Sequence, residues 1–262
     1  MANMTSSVSA SQVAGELASA TFEEIPALVE HYREDPRQQV IKACERALKR
    51  HAKELAERER VNDMYELMHE LGGDGVVVGV DEVGRGSVAG PLTVCAVCLP
   101  MEPRVWGIND SKKLTPARRE LLSVKIAEVA TAIGFCHIAP KDIDEMGMAR
   151  AIRTAVAGAV ADTGLEHDCV LMDGNPLGAV PNERDVVKGD AKIACIAAAS
   201  IMAKVTRDEM MVEYDAEYPE YHLAESKGYA SPEHIEAIRK HGLCPLHRVS
   251  FCGNFLQTER LF

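Results

Sequence analysis

The sequence contains no run of about 18 consecutive apolar residues, the length that a membrane-spanning helix requires. It also does not open with the basic, apolar and small-residue segments of a secretory signal. Its 8 cysteines are scattered, which is typical of core packing in a reducing compartment and not of a disulfide framework. We therefore expect a cytoplasmic protein with no membrane partner.

An excess of basic residues is missing as well. The chain has 29 Lys and Arg against 40 Asp and Glu, a formal net charge of −11, whereas most proteins that bind duplexes are basic. Net charge governs solubility and long-range steering, however, and not what a local site binds. Carboxylates clustered around metal ions would themselves contribute negative charge. Composition alone therefore leaves the partner open, and 262 residues with 47% hydrophobic content predict a sizeable core.

The N-terminal part of the sequence is predicted to be helical. The first 20 or so residues are small and polar and are expected to be loose at the start. From Pro36 to Leu71 the sequence is rich in Ala, Glu, Lys, Arg and Leu, and apolar residues recur at helical spacing. Gly72 and Gly73 should end this helix. We therefore expect a helical extension over residues 1–74 and a separate domain over residues 75–262.

Several basic residues of this helix allow two interpretations. Glutamates are interleaved with them, so in the simpler interpretation they form the solvated face of a helix. The alternative is a basic arm that contacts the backbone of a nucleic-acid duplex. The residues concerned are Lys49, Arg50, Lys53, Arg58 and Arg60.

After residue 75, short apolar segments alternate with helical ones. Strands are predicted at 76–80, 91–99, 133–139, 169–173 and 184–190, and helices at 115–132, 148–162, 193–218 and from Ser231 to near Gly242. The small residues between Ala197 and Lys204 are expected to let a helix pack closely on a sheet and not to form a site. This order predicts an α/β fold with a mixed central sheet, helices on both faces and a helical C-terminal portion.

Four carboxylates stand at the ends of predicted strands. Asp81 and Glu82 follow VVVGV directly, Asp173 closes CVLMD, and Asp190 follows the short segment RDVVKG. Three strand ends of one sheet can bring these groups to one edge, where they would repel each other unless a cation lies among them. Hard oxygen ligands suit Mg²⁺ or Mn²⁺, and two such ions can support the hydrolysis of a phosphodiester.

Each acidic segment also has an ordinary explanation. Asp173-Gly174-Asn175 is by itself a turn signal, and an Asp-Glu pair after a strand is usually solvated. Only their joint occurrence favours a metal site. Soft ligands for structural zinc are present at Cys95 and Cys98, and again at Cys244, His247 and Cys252. Cys95 and Cys98 fall on opposite faces of a predicted strand, which disfavours zinc.

The segment GVDEVGRGSVAGP at 79–91 resembles the opening motif of type 2 ribonucleases H, and bacterial ribonuclease HII in particular. The resemblance continues in order through INDSKKLTPARRE at 108–120, VLMDGN at 170–175, VVKGDAK at 186–192, AASIMAKVTRD at 198–208, KGYASPEH at 227–234 and HRVSF at 247–251. DPRQQV at 35–40 is similar to the helical extension of some bacterial members. The resemblance thus covers nearly everything from Val76 to Phe251 and implies a ribonuclease H-like fold.

The resemblance also implies roles for individual residues. The four acidic metal-site residues of the family fall on the strand-end carboxylates, Asp81, Glu82, Asp173 and Asp190. The stretch whose backbone senses the 2′-hydroxyl of the ribonucleotide falls on Gly84, Arg85 and Gly86. The tyrosine that stacks on the neighbouring deoxynucleotide sugar falls on Tyr229. The phosphate-contacting and C-terminal substrate-binding residues fall on Ser111, Lys112, Lys113, Arg248 and Ser250.

The implied activity is cleavage of the RNA strand of RNA–DNA hybrids, and of duplex DNA on the 5′ side of an embedded ribonucleotide, leaving 3′-hydroxyl and 5′-phosphate ends. Mn²⁺ or Mg²⁺, two ions per site with substrate, is the implied cofactor, and a monomer is expected. The alternative is ribonuclease HIII or another nuclease of the superfamily, although HIII members carry a lysine where this chain has Arg85. The chain departs from the family pattern at Ser226, where many members have a histidine, and at Ser87, where proline is common.

Overall fold

The computed structural model describes residues 8–256. Within that range the helices are α1 Ala10–Ser19, α2 Ile25–His31, α3 Gln38–Gly72, α4 Pro116–Val129, α5 Pro140–Met146, α6 Met148–Asp162, α7 Ala194–Glu217, α8 Leu223–Ser226, α9 Pro232–His241 and α10 Val249–Cys252. The strands are β1 Val77–Val83, β2 Leu92–Cys98, β3 Ala132–Ile138, β4 Cys169–Asp173 and β5 Glu183–Val186. None of the helices in residues 8–256 is long and apolar enough to cross a membrane.

The strands form a mixed sheet in the order β3-β2-β1-β4-β5. β2 pairs antiparallel with both β1 and β3, whereas β4 runs parallel to both β1 and β5. β1 is therefore the central strand, and all residues of β2 beside it are buried. The predicted α/β fold with a mixed central sheet is confirmed.

Helices α6 and α7 cover opposite faces of this sheet. Val78 and Val80 of β1 pack in one hydrophobic cluster with Ala155 of α6. The residue between them, Gly79, faces α7, where an added Cβ would lie 2.3 Å from the backbone of Cys195. A side chain at this position would therefore separate the helix from the sheet. The close packing predicted for the small residues of α7 is confirmed, since Ala194 to Ile201 are all buried.

By its internal contacts the chain divides into two units, Met1–Asn62 and Asp63–Phe262. The expectation that the first 20 residues are loose is wrong for α1. A capping box between Ser9 and Gln12 starts this helix, and its apolar side chains enter a small core. That core comprises Val13, Leu17, Ile25, Val40 and Ala47. Residues 1–7 lie outside the described residues.

Helix α3 belongs to both units. It ends at Gly72, as predicted, and Gly73 follows with a φ of 79°. Its last turns belong to the second unit, in which Tyr65 is fully buried and accepts a hydrogen bond of 2.9 Å from the backbone N–H of Val105. The first unit thus ends inside the helix, thirteen positions before the composition changes at residue 75.

Two strand boundaries differ from the prediction. β1 extends to Val83, so Asp81 and Glu82 lie within the strand and not after it. β5 ends at Val186, and the predicted strand at 184–190 is therefore too long. Lys188 adopts a left-handed conformation with a φ of 58°, which ends the strand and starts a 3-10 turn at Gly189–Ala191. The short helix α5 was not predicted.

Candidate active site

Two aspartates lie side by side on the central strands. β1 and β4 run parallel with Val80 opposite Met172, and the next residues along the two strands are Asp81 and Asp173. Asp81 has the parity of Gly79 and therefore lies on the α7 face of the sheet. It is 6% exposed, and its carboxylate accepts a hydrogen bond of 2.8 Å from the backbone N–H of Glu82. The parallel pairing of the strands is what brings the two acids together.

Asp190 joins them from the 3-10 turn at Gly189–Ala191 and not from the end of a strand. Asp173 accepts a hydrogen bond of 2.7 Å from the backbone N–H of Gly189, which links the end of β4 to this turn. Lys112 Nζ lies 3.8 Å from the carboxylate of Asp190. Although the strand predicted before Asp190 is too long, the acid still reaches the edge where Asp81 and Asp173 lie.

The pKa shifts show that these carboxylates interact. Burial, together with the charge of Glu82, raises the pKa of Asp81 to about 8, against a hydrogen bond from Ser200. Burial also raises the pKa of Glu82, against the nearby charge of Arg85. Burial and the charge of Asp173 raise the pKa of Asp190. Ionising these groups together costs free energy, so a bound cation would stabilise the charged forms.

The donor chemistry of the site fits a hard divalent cation, because all four side chains offer carboxylate oxygens. In the described part of the chain, no three His, Cys, Asp or Glu side chains are grouped closely enough to hold a metal ion as they stand. Mg²⁺ in particular is held by one or two carboxylates, while water and substrate phosphate supply its remaining ligands. The residues present therefore fit a metal site that the substrate helps to complete.

A cleft of ≈ 360 Å³ includes Glu82 in its lining. Most of the predicted substrate residues also line it, namely Gly84, Arg85, Gly86, Ser111, Lys112 and Tyr229. Ser200 and Lys204 of α7 line the same cleft, although the segment 197–204 was expected only to pack on the sheet. Ser200 Oγ lies 2.9 Å from Ser111 Oγ. Two polar residues four positions apart in the otherwise apolar segment 194–205 were the available sequence signal.

The two glycines of the loop after β1 have different surroundings. Gly84 has a φ of 84°, and a Cβ there would lie 2.3 Å from Nε of Arg207. Its lack of a side chain is therefore required by packing inside the protein. An added Cβ at Gly86 would meet no atom within 4 Å. Gly86 is thus the position at which the loop backbone is open to a ligand.

Two buried arginines hold this loop, and only the second of them was predicted as a site residue. Arg207 is fully buried and donates hydrogen bonds to the carbonyls of Pro91 and Ala89, at 2.9 and 3.0 Å. It also donates to Ser87 Oγ at 2.8 Å, and that hydroxyl in turn donates to the carbonyl of Gly84 at 2.9 Å. Ser87, where proline is common in the family, thus links Arg207 to the loop. No local signal distinguishes Arg207 as buried, because it stands among other charged residues in the segment TRDE at 206–209.

Arg248 is the second buried arginine. Its guanidinium donates to the carbonyl of Gly90 at 2.9 Å and to that of Arg85 at 3.1 Å. Its bonds therefore reach the loop backbone, and its side chain does not line the cleft. Ser250 bonds instead to Asp144 of α5, and Lys113 Nζ lies 3.9 Å from Asp110. The structure does not bring these three predicted residues to the cleft, and their substrate role stays a prediction.

Tyr229 lines the same cleft as the loop. It follows Lys227 and Gly228, which both have positive φ, and its own N–H donates to the carbonyl of Ser226 at 2.9 Å. The side chain hydroxyl of Ser226, where an imidazole is common in the family, accepts from the N–H of Gly228 at 3.2 Å. The tyrosine is 39% exposed, and the guanidinium carbon of Arg207 lies 5.7 Å from the ring centroid. The ring is therefore held by the protein while remaining open to a ligand.

Comparisons with known proteins match both parts of the chain. The family model for ribonuclease HII matches residues 78–254, and the model for the ribonuclease HII N-terminal domain matches residues 9–71. Ribonuclease HII of Moorella thermoacetica is 46% identical over 198 residues, which cover 74% of this chain and 96% of the relative. Ribonuclease HII of Ruminiclostridium cellulolyticum is 44% identical over 204 residues, or 77% of this chain and 80% of the relative.

Solved structures agree with these matches. The ribonuclease H2 of Pyrococcus horikoshii OT3 is similar with a TM-score of 0.59 and 27% identity, over 70% of this chain and 99% of that chain. Bst-RNase HIII in complex with Mn²⁺ has a TM-score of 0.56 and 19% identity over 70% of this chain and 68% of that chain, a likeness in fold alone. With both family models and curated relatives in agreement, the chain belongs to the ribonuclease HII family and is an endoribonuclease of the type 2 ribonuclease H class, which hydrolyses RNA in RNA–DNA hybrids.

Proposed function

We propose that this enzyme cleaves duplex nucleic acid on the 5′ side of a ribonucleotide, whether in an RNA–DNA hybrid or embedded singly in DNA, and leaves 3′-hydroxyl and 5′-phosphate ends. The observation that carries the proposal is the placement of Asp81 and Asp173 on adjacent strands, beside a cleft that Gly86 and Tyr229 line. Such a site combines the chemistry of phosphodiester hydrolysis with a backbone and a ring suited to a sugar.

The carboxylates of Asp81, Glu82, Asp173 and Asp190 would hold Mn²⁺ or Mg²⁺, two ions per site with substrate. When bound, the ions supply a more acidic water and offset the charge that develops on the phosphate. Bst-RNase HIII, which has a similar fold, was solved with Mn²⁺. Lys112 lies within reach of Asp190 and is exposed, and its ammonium would meet a phosphate entering the site. Burial opposes the charge of Lys112, but the neighbouring aspartates outweigh it and its pKa is raised.

Two residues that line the cleft, Gly86 and Tyr229, would recognise the ribonucleotide. The open backbone at Gly86 would approach the 2′-hydroxyl, which is the group that distinguishes RNA from DNA. The exposed ring of Tyr229 would stack on the neighbouring sugar. Arg248 would act through the loop by holding the carbonyl of Arg85, since its own side chain is fully buried.

A duplex with one embedded ribonucleotide tests the proposed function. The full chain should cut it once, on the 5′ side of the ribonucleotide, and leave the all-DNA duplex of the same sequence intact. A chelator should abolish the reaction, and added Mn²⁺ or Mg²⁺ should restore it, because the carboxylates bind phosphate poorly without a cation. Cutting of the all-DNA control, or full activity in chelator, would contradict the proposal. Gel analysis of end-labelled strands gives the cleavage position and the chemistry of the ends.

We propose further that the enzyme acts as a monomer in the cytoplasm, with its catalytic domain beginning near residue 75. Every acidic and cleft-lining residue named above belongs to a single chain. All eight cysteines are free, which suits a reducing compartment. The start of the ribonuclease HII model at residue 78 supports the domain boundary.

The N-terminal unit is proposed to bind the duplex backbone weakly. Of the basic residues considered for this role, Arg50 donates to backbone carbonyls of α1 and its end, while Arg58 and Arg60 form salt bridges with glutamates. The other two, Lys49 and Lys53, remain exposed and stand with two further basic residues at positions i, i+4, i+7 and i+11 of α3, which form one stripe along the helix. This basic stripe consists of Lys42, Arg46, Lys49 and Lys53.

Neutralising the basic stripe should weaken binding without changing the chemistry. The full-length triple variant Arg46→Gln, Lys49→Gln and Lys53→Gln is expected to raise the Kd for a duplex by about two- to fivefold at low salt, because fewer counterions are released. Fluorescence anisotropy across a salt series measures this effect, and single-turnover rates at saturation should stay unchanged. Substitutions are preferable to removal of residues 1–74, since such a truncation would delete Tyr65 from the second unit.

A matched control neutralises three exposed basic residues elsewhere, Lys141, Arg150 and Arg153 of α5 and α6. This variant changes the net charge by the same amount but leaves the basic stripe intact. If the two variants lose the same duplex affinity, the loss is a general effect of net charge. The basic stripe would then have no specific role in binding. A lower single-turnover rate in the stripe variant would contradict the separation of binding from catalysis.

A further inference from the structure

Two histidines outside the cleft are joined to each other and to Tyr229. His234 of α9 is fully buried and His247 is 3% exposed, and their Nε2 atoms lie 3.1 Å apart. His247 Nδ1 lies 3.0 Å from the backbone nitrogen of Cys244, and His234 Nδ1 lies 2.9 Å from the carbonyl oxygen of Tyr229. A continuous line of hydrogen bonds therefore runs from Cys244 to Tyr229. We call it the histidine relay.

The two ends of the histidine relay determine where its protons lie. Nδ1 of His247 lies 3.0 Å from the N–H of Cys244, which can only donate, and 3.4 Å from the carbonyl of the same residue. We take the shorter contact, in which Nδ1 accepts and Nε2 carries the hydrogen. The carbonyl of Tyr229 can only accept, so Nδ1 of His234 carries the hydrogen and its Nε2 accepts. The two Nε2 atoms thus meet as one donor and one acceptor. This arrangement is complete only when both imidazoles are neutral.

Burial favours that neutral state. It lowers the pKa of His247 to about 4, with the neighbouring His234 adding to the effect. Burial also lowers the pKa of His234. Tyr221 packs its ring against both imidazoles, at centroid distances of 4.8 Å to His247 and 6.3 Å to His234. The histidine relay is therefore a dry, neutral and directional connection in neutral solution.

The position of the histidine relay in the chain connects it to the loop after β1. His247 is followed directly by Arg248, whose guanidinium holds the carbonyls of Gly90 and Arg85. Adjacent residues of one segment thus reach Tyr229, through His234, and the loop after β1. The two elements are also joined directly, because the N–H groups of Val88 and Ala89 donate to the carbonyl of Gly228 at 2.9 and 3.0 Å. The segment is therefore a second support that both substrate-facing elements share.

We propose that His234 and His247 are positioning residues for ribonucleotide recognition, which hold the backbone of Tyr229 so that its ring stacks where the 84–86 loop meets the ribose. The inference rests on the substrate role proposed above for Tyr229. Both imidazoles are buried, and their side chains reach Tyr229 only through the bond from His234 to the tyrosine carbonyl.

Substitutions can separate the two ends of the histidine relay. His234→Asn places an amide near the position of Nδ1 and keeps a donor for Tyr229, whereas His234→Phe keeps a ring but removes every hydrogen bond. His234→Phe is expected to slow cleavage of a single embedded ribonucleotide by about three- to tenfold, and His234→Asn by clearly less. His247→Asn, which keeps an acceptor for Cys244 but no donor for His234, should lie between them. Melting temperatures identify any variant that does not fold, and the Asn variants then carry the test.

A double-mutant cycle with Tyr229→Ala decides whether the histidines act through the tyrosine. If they do, His234→Phe should slow a Tyr229→Ala enzyme by less than about twofold, because the ring that it positions is already absent. The same loss in both backgrounds would overturn the proposal and leave the pair as general packing. If Tyr229→Ala alone has no effect, the role proposed for Tyr229 fails instead. If Tyr229→Ala slows cleavage but the histidine variants do not, only the present inference fails.

Tyr221→Phe is the matched control inside the same cluster. It removes only the hydrogen bond from the tyrosine hydroxyl to the carbonyl of Gly242, at 3.1 Å, and leaves the histidine relay intact. Cleavage by this variant should be unchanged. Nitrogen-15 NMR of the imidazoles gives a readout that activity does not affect: the hydrogen should reside on Nδ1 of His234 and on Nε2 of His247. The reverse assignment, or two protonated rings at neutral pH, would contradict the proposed direction.

Discussion

Asp81→Asn and Asp173→Asn should each reduce cleavage of a ribonucleotide-containing duplex by at least about 1,000-fold, or ~4 kcal/mol of barrier. Each substitution removes one charge from the pair that adjacent strands hold side by side. The remaining carboxylates would bind a cation less tightly and place it less accurately. Duplex affinity should largely survive, because phosphate contacts come from other residues. Single-turnover cleavage and anisotropy on the same substrate separate the two effects.

The aspartate variants should still fold. Burial and neighbouring charge already raise the pKa of Asp81 to about 8, so a neutral Asn relieves an unfavourable interaction. The melting temperature of metal-free Asp81→Asn should therefore equal or exceed that of the parent. Asp185→Asn is the control, since this exposed carboxylate lies on β5 of the same sheet and should be dispensable. Near-normal turnover by Asp81→Asn or Asp173→Asn would refute the assignment of the metal site.

Tyr229→Ala should slow cleavage of a single embedded ribonucleotide by about tenfold to a hundredfold, since stacking on an aromatic ring contributes about 1–3 kcal/mol. The ring is 39% exposed, so its loss should change the melting temperature little. Tyr229→Phe retains the ring and should keep most of the activity. The rate should be measured at saturating metal so that ion binding does not limit it. An unchanged rate in Tyr229→Ala would show that Tyr229 is an exposed loop residue with no role in substrate recognition.

Arg207 and Arg248 show how the protein holds the loop between β1 and β2. Both guanidiniums are buried and donate mainly to backbone carbonyls instead of carboxylates. Burial lowers the pKa of Arg248 to about 10, with the charge of Arg207 contributing. Backbone carbonyls that accept these bonds cannot move without leaving a buried charge unsatisfied, which is costly. The loop that faces the ribonucleotide is therefore rigid because of residues more than 100 positions away in the chain.

Local patterns in the sequence were sufficient to predict the sheet and most of its helices. Alternating apolar and helical segments predict buried strands, since the periodicity depends only on which side chains face the core. Asp81 and Asp173 could be chosen in the same way, because each closes or follows a strongly apolar segment. Asp190 lies near Asp173, as predicted, although the strand predicted before it is too long. The order of residues along the chain thus limits where charged groups can emerge from a sheet.

Only the tertiary structure decided which polar residues meet the cleft and which support it. Arg248 and Tyr229 were both predicted to bind substrate. Arg248 is fully buried and bonds to the loop, whereas Tyr229 is 39% exposed. The histidine relay joins residues 229, 234, 244 and 247, and no spacing rule predicts that two imidazoles there would share a hydrogen bond. The sequence by itself predicted the fold class and selected the four carboxylates, because both follow from local patterns, and the metal-binding role of these carboxylates stays a prediction. The partners of Arg207, Arg248 and the histidines depend on contacts between distant segments, which form only when the chain is packed.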